Sequence, residues 1–178
     1  NVSKKLRGFL RNLRTMDATA LILFCGFSTL MIFGALAPAF GTDEVSYHME
    51  IAGNIARNGY LESDQMLFSN MPLAAEMIYA VSVSILNETP GKLLNALCGV
   101  LSGLSIFAYC KKKWGVSQAI FSALLFISLP TTWYAGFVSK NNLFLILFSL
   151  ISFFSLQEGL EKKETTMLFL SGIFTGFA

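Results

Sequence analysis

The residues best suited to chemistry lie in Gly41-Thr42-Asp43-Glu44-Val45-Ser46-Tyr47-His48, directly after the first membrane-length apolar run. Carboxylates at the edge of a bilayer are seldom needed for packing and are commonly retained for a function. Thr42 is a suitable N-cap for a helix that runs to about Asn58 and ends at Gly59, which places Asp43 and Glu44 in its first turn. The helix dipole favours ionised carboxylates there. On such a helix Asp43, Tyr47, Glu50 and Asn54 share one face, and Glu44, His48 and Ile51 share the next. An ionised aspartate at this edge can take the proton of an acceptor hydroxyl or amine as a general base. The same two acids can equally do no more than cap a surface helix.

A substrate carrying a lipid phosphate would also need cations at this acidic edge. Lys140 or Arg57 can meet a phosphate directly, and Glu44 with His48, one turn apart, can help hold a divalent cation. Each residue also has a plainer role. His48 can be a hydrogen-bonded interface residue, Lys140 a snorkelling anchor, and Tyr47, Tyr60, Tyr79, Trp133 and Tyr134 members of an interfacial aromatic belt. Cys25, Cys98 and Cys110 have no metal-ligand spacing and read as small apolar residues.

The elements that must position these residues follow from composition. Hydrophobic residues make up 54% of the chain and charged residues 13%, more apolar surface than one soluble core can hide. The runs are long, Phe-rich and without strict alternation, so they read as helices and not as barrel strands. The expected fold is therefore all-α, a polytopic transmembrane bundle.

Lys4, Lys5, Arg7, Arg11 and Arg14 precede the first apolar run, 18–40. That run can pass for a signal sequence, but its length favours a signal anchor with a cytoplasmic N-terminus. Lys111-Lys112-Lys113 and Lys162-Lys163 belong on the same side by the positive-inside rule. Asp43, Glu44, Glu50, Glu62, Asp64, Glu76 and Glu88 fall between the first span and that lysine cluster, so a single crossing separates them. Segment 93–110 is uncharged and ends on the lysines, and it takes this crossing. Segment 71–86 carries Glu76 and opens on Pro72, so it reads as an interfacial helix of an outer loop 41–92. The alternative makes 71–86 an ordinary span and inverts the later loops, moving Asn142 across the membrane. The remaining spans are expected at 116–134, 143–156 and 167–178. Gly99 and Gly103 have the small-xxx-small spacing that packs helices. The basic clusters serve topology and anionic headgroups, not nucleic acid. Opening on Asn1 and stopping within an apolar run, the chain reads as the N-terminal part of a longer protein, with an incomplete and by itself inactive site.

Asp43-Glu44 with Tyr47-His48, then Phe68-Ser69-Asn70-Met71-Pro72 and Glu76-Met77-Ile78-Tyr79-Ala80, resembles the membrane glycosyltransferases of the GT-C class. Within it the chain resembles glycosyltransferase family 39 and the dolichyl-phosphate-mannose protein mannosyltransferases, including the aminoarabinose transferases of lipid A. Leu129-Pro130, the 139–156 stretch and Leu170-Ser171-Gly172-Ile173-Phe174-Thr175-Gly176 follow the same order. The resemblance implies inverting transfer from a polyprenyl-phosphate sugar to a lipid, glycan or protein acceptor on the outer face. It makes Asp43 the base and Glu44 a supporting acid. It places Tyr47 and His48 in the site lining and Glu76 behind them. Many relatives carry a second acid where this chain has Asn142, which supplies no negative charge.

A lipid-linked-substrate transporter or flippase, or a non-catalytic assembly subunit, would share these spans. A transporter calls for acids within the bilayer, whereas here they concentrate outside it. The Asn87-Glu88-Thr89 sequon is followed by Pro90 and no eukaryotic targeting signal is seen, which suggests a bacterial inner membrane.

Overall fold

The computed structural model describes residues 15–60 and 73–178. The N-terminal basic run, Glu62, Asp64 and the Phe68-to-Pro72 segment lie outside the described residues. The elements are α1 (Thr15–Gly34), a π-helical turn (Glu44–His48) running into α2 (Met49–Asn58), α3 (Ala74–Ile85), α4 (Thr89–Trp114), α5 (Val116–Ser128), α6 (Pro130–Phe137), α7 (Asn142–Lys162) and α8 (Thr165–Phe177). No strand occurs among the described residues, and the fold is an all-α membrane helix bundle. Helices α1, α4 and α7 are long and apolar enough to cross a bilayer, and α5 with α6 makes a fourth crossing if the bent pair counts as one span.

Two expected spans differ in ways that shape the site. The first helix stops at Gly34 instead of reaching 40. Pro38 disfavours helical geometry at Ala37, and the carbonyls of Ala37 and Pro38 find a donor in the Lys92 ammonium, at 2.7 and 3.3 Å. The expected single span 116–134 is broken at Leu129, which is extended (φ −61°, ψ 129°) ahead of Pro130, and the two halves meet at 59°. Helix α4, at 26 residues, is about 39 Å long and exceeds the ~30 Å hydrocarbon core, so its ends and the Lys111-Lys112-Lys113 cluster extend past it. Helix α3 has 12 residues, about 18 Å, short of that core.

The bundle has two polar ends. At one, Glu158 pairs with Lys112 (2.8 Å) and Lys162 (2.6 Å), Lys113 pairs with Glu161, and the Tyr109 hydroxyl donates to Gln157 (2.7 Å). Ser117 donates to Asp17 and fastens the start of α5 to the start of α1. The two lysine clusters thus share one end, and Asp43, Glu44, Lys92 and Lys140 lie at the other.

Between the ends, small residues let helices approach. A Cβ at Gly99 would lie 2.9 Å from Met31 and 3.1 Å from Leu143, and one at Gly103 would lie 2.9 Å from Phe24. Ser152 bonds Thr175 (2.7 Å) and the Ser171 carbonyl (3.0 Å), linking α7 to α8. Leu23, Leu30 and Phe33 of α1, Leu101 and Leu104 of α4, and Phe153 of α7 face outward. An outward apolar surface carries no penalty where the solvent is lipid.

Candidate functional site

The site is built on a buried polar framework. The helix leading into the π-turn starts one residue earlier than expected, with Thr42 already helical and the Gly41 carbonyl accepting from the Val45 N–H (3.0 Å). Glycine has no side chain to cap with, and Glu44, three residues on, reaches back instead. Its Oε2 accepts the N–H groups of Phe40 (3.0 Å) and Gly41 (3.1 Å), the glutamate half of a capping box. Oε1 accepts the N–H (2.7 Å) and hydroxyl (2.8 Å) of Ser139 and lies 3.3 Å from Lys92 Nζ. Burial alone pushes the Glu44 carboxyl up, but the bonds from Ser139, Gly41 and Phe40 hold it below the usual carboxylate range.

Glu44, expected as a supporting acid, sits inside this framework and not at the rim. It is completely buried, and its roughly four lone-pair positions are filled. Lys92, also fully buried, ties Glu44 to the chain after α1 and lies 5.7 Å from the centroid of the Phe40 ring. One turn along α4, Asn95 donates to the carbonyls of Ala135 (2.8 Å) and Val138 (2.9 Å), holding the end of α6.

Because Glu44 grips Ser139, the neighbouring residues Asp43 and Lys140 are brought together at the rim. Lys140 Nζ lies 2.6 Å from Asp43 Oδ2, with side-chain exposures of 19% and 49%, so the pair is open to ligand on the aspartate side. The hydrogen bond and charge of Lys140 hold the Asp43 carboxyl below its usual range, and Asp43 raises the lysine. The Lys140 ammonium is 5.6 Å from the Tyr134 ring centroid, and its carbonyl accepts from the Tyr79 hydroxyl (2.8 Å). Tyr47, half-buried on the Asp43 face, has its phenol raised by burial and by the Asp43 charge, so it remains protonated.

Behind the rim, His48 Nδ1 meets Glu76 Oε1 at 2.5 Å, joining the π-turn to α3, and both side chains are buried. The second Glu76 oxygen is buried and has no hydrogen-bond partner among the described residues. Tyr47 lies against His48 with ring centroids 4.1 Å apart. Asn142 is exposed in the first turn of α7, two residues past Lys140. Arg57 does not join the group. It bonds Asn54 at the far end of α2, about 21 Å along the helix from Asp43. The Glu44–His48 pair does not fit a divalent cation, since the carboxylate is filled and Nδ1 is bound to Glu76. Among the described residues, no group of three or more His, Cys, Asp or Glu side chains is placed to hold a metal ion.

Lys92 and Asn95 escape sequence reading because the span is taken to begin at Leu93 and Asn95 is polar without charge. The available signal is Lys92 itself, an ionisable residue at the mouth of an apolar helix. Trp133, expected in an aromatic belt, packs against Phe27 and Phe137 between α1 and α6.

Residues 70–178, well over half of the chain, match the family described as dolichyl-phosphate-mannose-protein mannosyltransferase. The matched stretch contains Glu76, Lys92, Ser139, Lys140 and Asn142 and begins after Asp43, Glu44, Tyr47 and His48. No curated protein and no solved structure matches the chain. With its apolar crossing helices and this match, the chain belongs to the dolichyl-phosphate-mannose-protein mannosyltransferase family and is a membrane glycosyltransferase of the mannosyltransferase type.

Proposed function

We propose that this protein transfers a sugar from a polyprenyl-phosphate donor to a lipid, glycan or protein acceptor, with inversion, at the outer face of a bacterial inner membrane. The observation that carries this reading is the Asp43–Lys140 pair, a half-exposed carboxylate and a cation set at the rim by the buried Glu44–Ser139 grip. Asp43 takes the proton of the acceptor hydroxyl or amine as the acceptor attacks the anomeric carbon. The carbon–oxygen bond to phosphate breaks, and its electron pair leaves on polyprenyl phosphate. One displacement inverts the centre. Lys140 faces the charge that develops on the leaving phosphate. Tyr47 and His48 line the approach, Glu76 orients His48, and the Asn142 amide offers a hydrogen bond to sugar or acceptor.

The lysine-rich end faces the cytoplasm under the positive-inside rule, which puts the N-terminus inside and the Asp43 rim outside. Helix α3, too short to cross and tied to the rim through Glu76 and Tyr79, lies at the outer interface. Sugar transfer by the full-length protein in membranes, compared between wild type and Asp43→Asn at matched expression, tests this. Loss of at least about 100-fold with donor binding retained is expected for a general base. Unchanged transfer would return Asp43 to the role of a surface helix residue.

A further inference from the structure

The rim holds a conflict that the transfer reaction has to resolve. The carboxylate that would accept the proton is bonded through Asp43 Oδ2 to the Lys140 ammonium at 2.6 Å, and a carboxylate held in an ion pair is a poorer base. Among the described residues the same ammonium is the cation placed at this rim for a phosphate, because Lys92 is sealed against Glu44 and Arg57 bonds Asn54 at the other end of α2. We propose that Lys140 is a shared cation that releases Asp43 only when the donor phosphate enters, so that donor binding and freeing of the base from its ion pair are one event and the donor binds before the acceptor is deprotonated. This rests on the reading of the site as a polyprenyl-phosphate-dependent transferase.

The surroundings of Lys140 suit a side chain that moves on a backbone that does not. Ser139 is clamped by Glu44 through both its N–H and its hydroxyl, and the Lys140 carbonyl is held by Tyr79. The four-carbon stem is left to swing, and the Tyr134 ring at 5.6 Å offers its face to the ammonium along the way. An ion pair whose aspartate is half exposed is weak, so an incoming phosphate can compete for the ammonium. After transfer the proton sits on Asp43, which no longer draws Lys140 away from the phosphate product. Loss of that proton to water restores the carboxylate, which takes Lys140 back and helps the product leave.

Binding of polyprenyl phosphate without sugar tests this, using the full-length protein in phosphatidylcholine nanodiscs. The set is wild type, Asp43→Asn, Lys140→Met, the double variant, and Lys140→Arg as a check that a cation at this position restores binding. Lys140→Met is expected to weaken binding by about ten-fold or more, the loss of one charge-assisted bond. Asp43→Asn is expected to tighten it by up to about five-fold, the competition removed with a weak ion pair. In the Lys140→Met background Asp43→Asn is expected to change nothing. An equal gain in that background would mean only long-range charge, and weaker or unchanged binding in Asp43→Asn alone would mean no shared cation; either overturns the proposal. Equal binding by wild type and Lys140→Met would overturn it as well, whereas absence of binding by wild type would instead overturn the polyprenyl-phosphate reading beneath it.

Discussion

Replacing Lys92 by methionine isolates what the buried framework contributes. The substitution keeps the length and apolar stem but removes a fully buried ammonium that lies 3.3 Å from Glu44 and donates to Ala37 (2.7 Å) and Pro38 (3.3 Å). Breaking a buried ion pair from one side costs about 3–5 kcal/mol, because the other charge is left uncompensated. Glu44 keeps its donors from Phe40, Gly41 and Ser139, which offset part of that cost. The Ala37 carbonyl, stripped of its donor, adds back about 1 kcal/mol or more. A net loss of about 3–5 kcal/mol is therefore expected for Lys92→Met, read from denaturant unfolding of the full-length protein in mixed micelles. Glu44→Gln removes the stranded charge but turns an amide NH2 toward donors that an oxygen accepted, so in the Lys92→Met background the two losses should fall short of their sum by at least about 1 kcal/mol. A single-variant loss under about 1 kcal/mol, or strictly additive losses in the double variant, would refute the idea that these charges hold the site together.

The same framework gives a pH dependence through Glu44. Its folded value lies below the usual one, so its contribution is present above about pH 4.3, the ordinary glutamate value, and is lost as pH falls through the lowered folded value. Wild-type stability should therefore drop along that acid limb, Glu44→Gln should flatten it, and identical slopes would contradict the assignment. Arg57→Ala, at an exposed position away from the rim, should change stability by less than about 0.5 kcal/mol, measured by the same unfolding titration. Ser152→Ala removes the link between α7 and the Ser171 and Thr175 pair of α8 and should cost about 0.6 kcal/mol, the average for hydrogen bonds between membrane helices. A loss several times larger would mean that this contact does more than join two helices.

The class of fold was legible because it depends on quantities that need no partner. Apolar runs of bilayer length admit helices, and clusters such as Lys111-Lys112-Lys113 mark the ends of those helices whatever they pack against. The break at Leu129 is also written locally, in the residue before Pro130, although reading 116–134 by length alone passes over it. The grouping of faces on the helix after Gly41 followed from its period, which sets Glu44, His48 and Ile51 together and Asp43 with Tyr47, without saying which group is buried.

What the sequence left open was the fate of two adjacent carboxylates. Asp43 and Glu44 share a turn and a helix dipole, and nothing within that turn says which becomes a buried strut and which an exposed, cation-paired acid. The choice is made by Ser139, separated from Glu44 by 95 positions, and by Lys92, whose ammonium is buried with it. Filling one carboxylate with donors from three parts of the chain lets it remain ionised without water. Its neighbour stays half exposed, where a substrate can reach it. Sequence by itself determined that this edge of the membrane bundle would carry acids. Tertiary structure decided which acid is available for chemistry, because desolvation and its compensation depend on groups that only folding brings within hydrogen-bond distance.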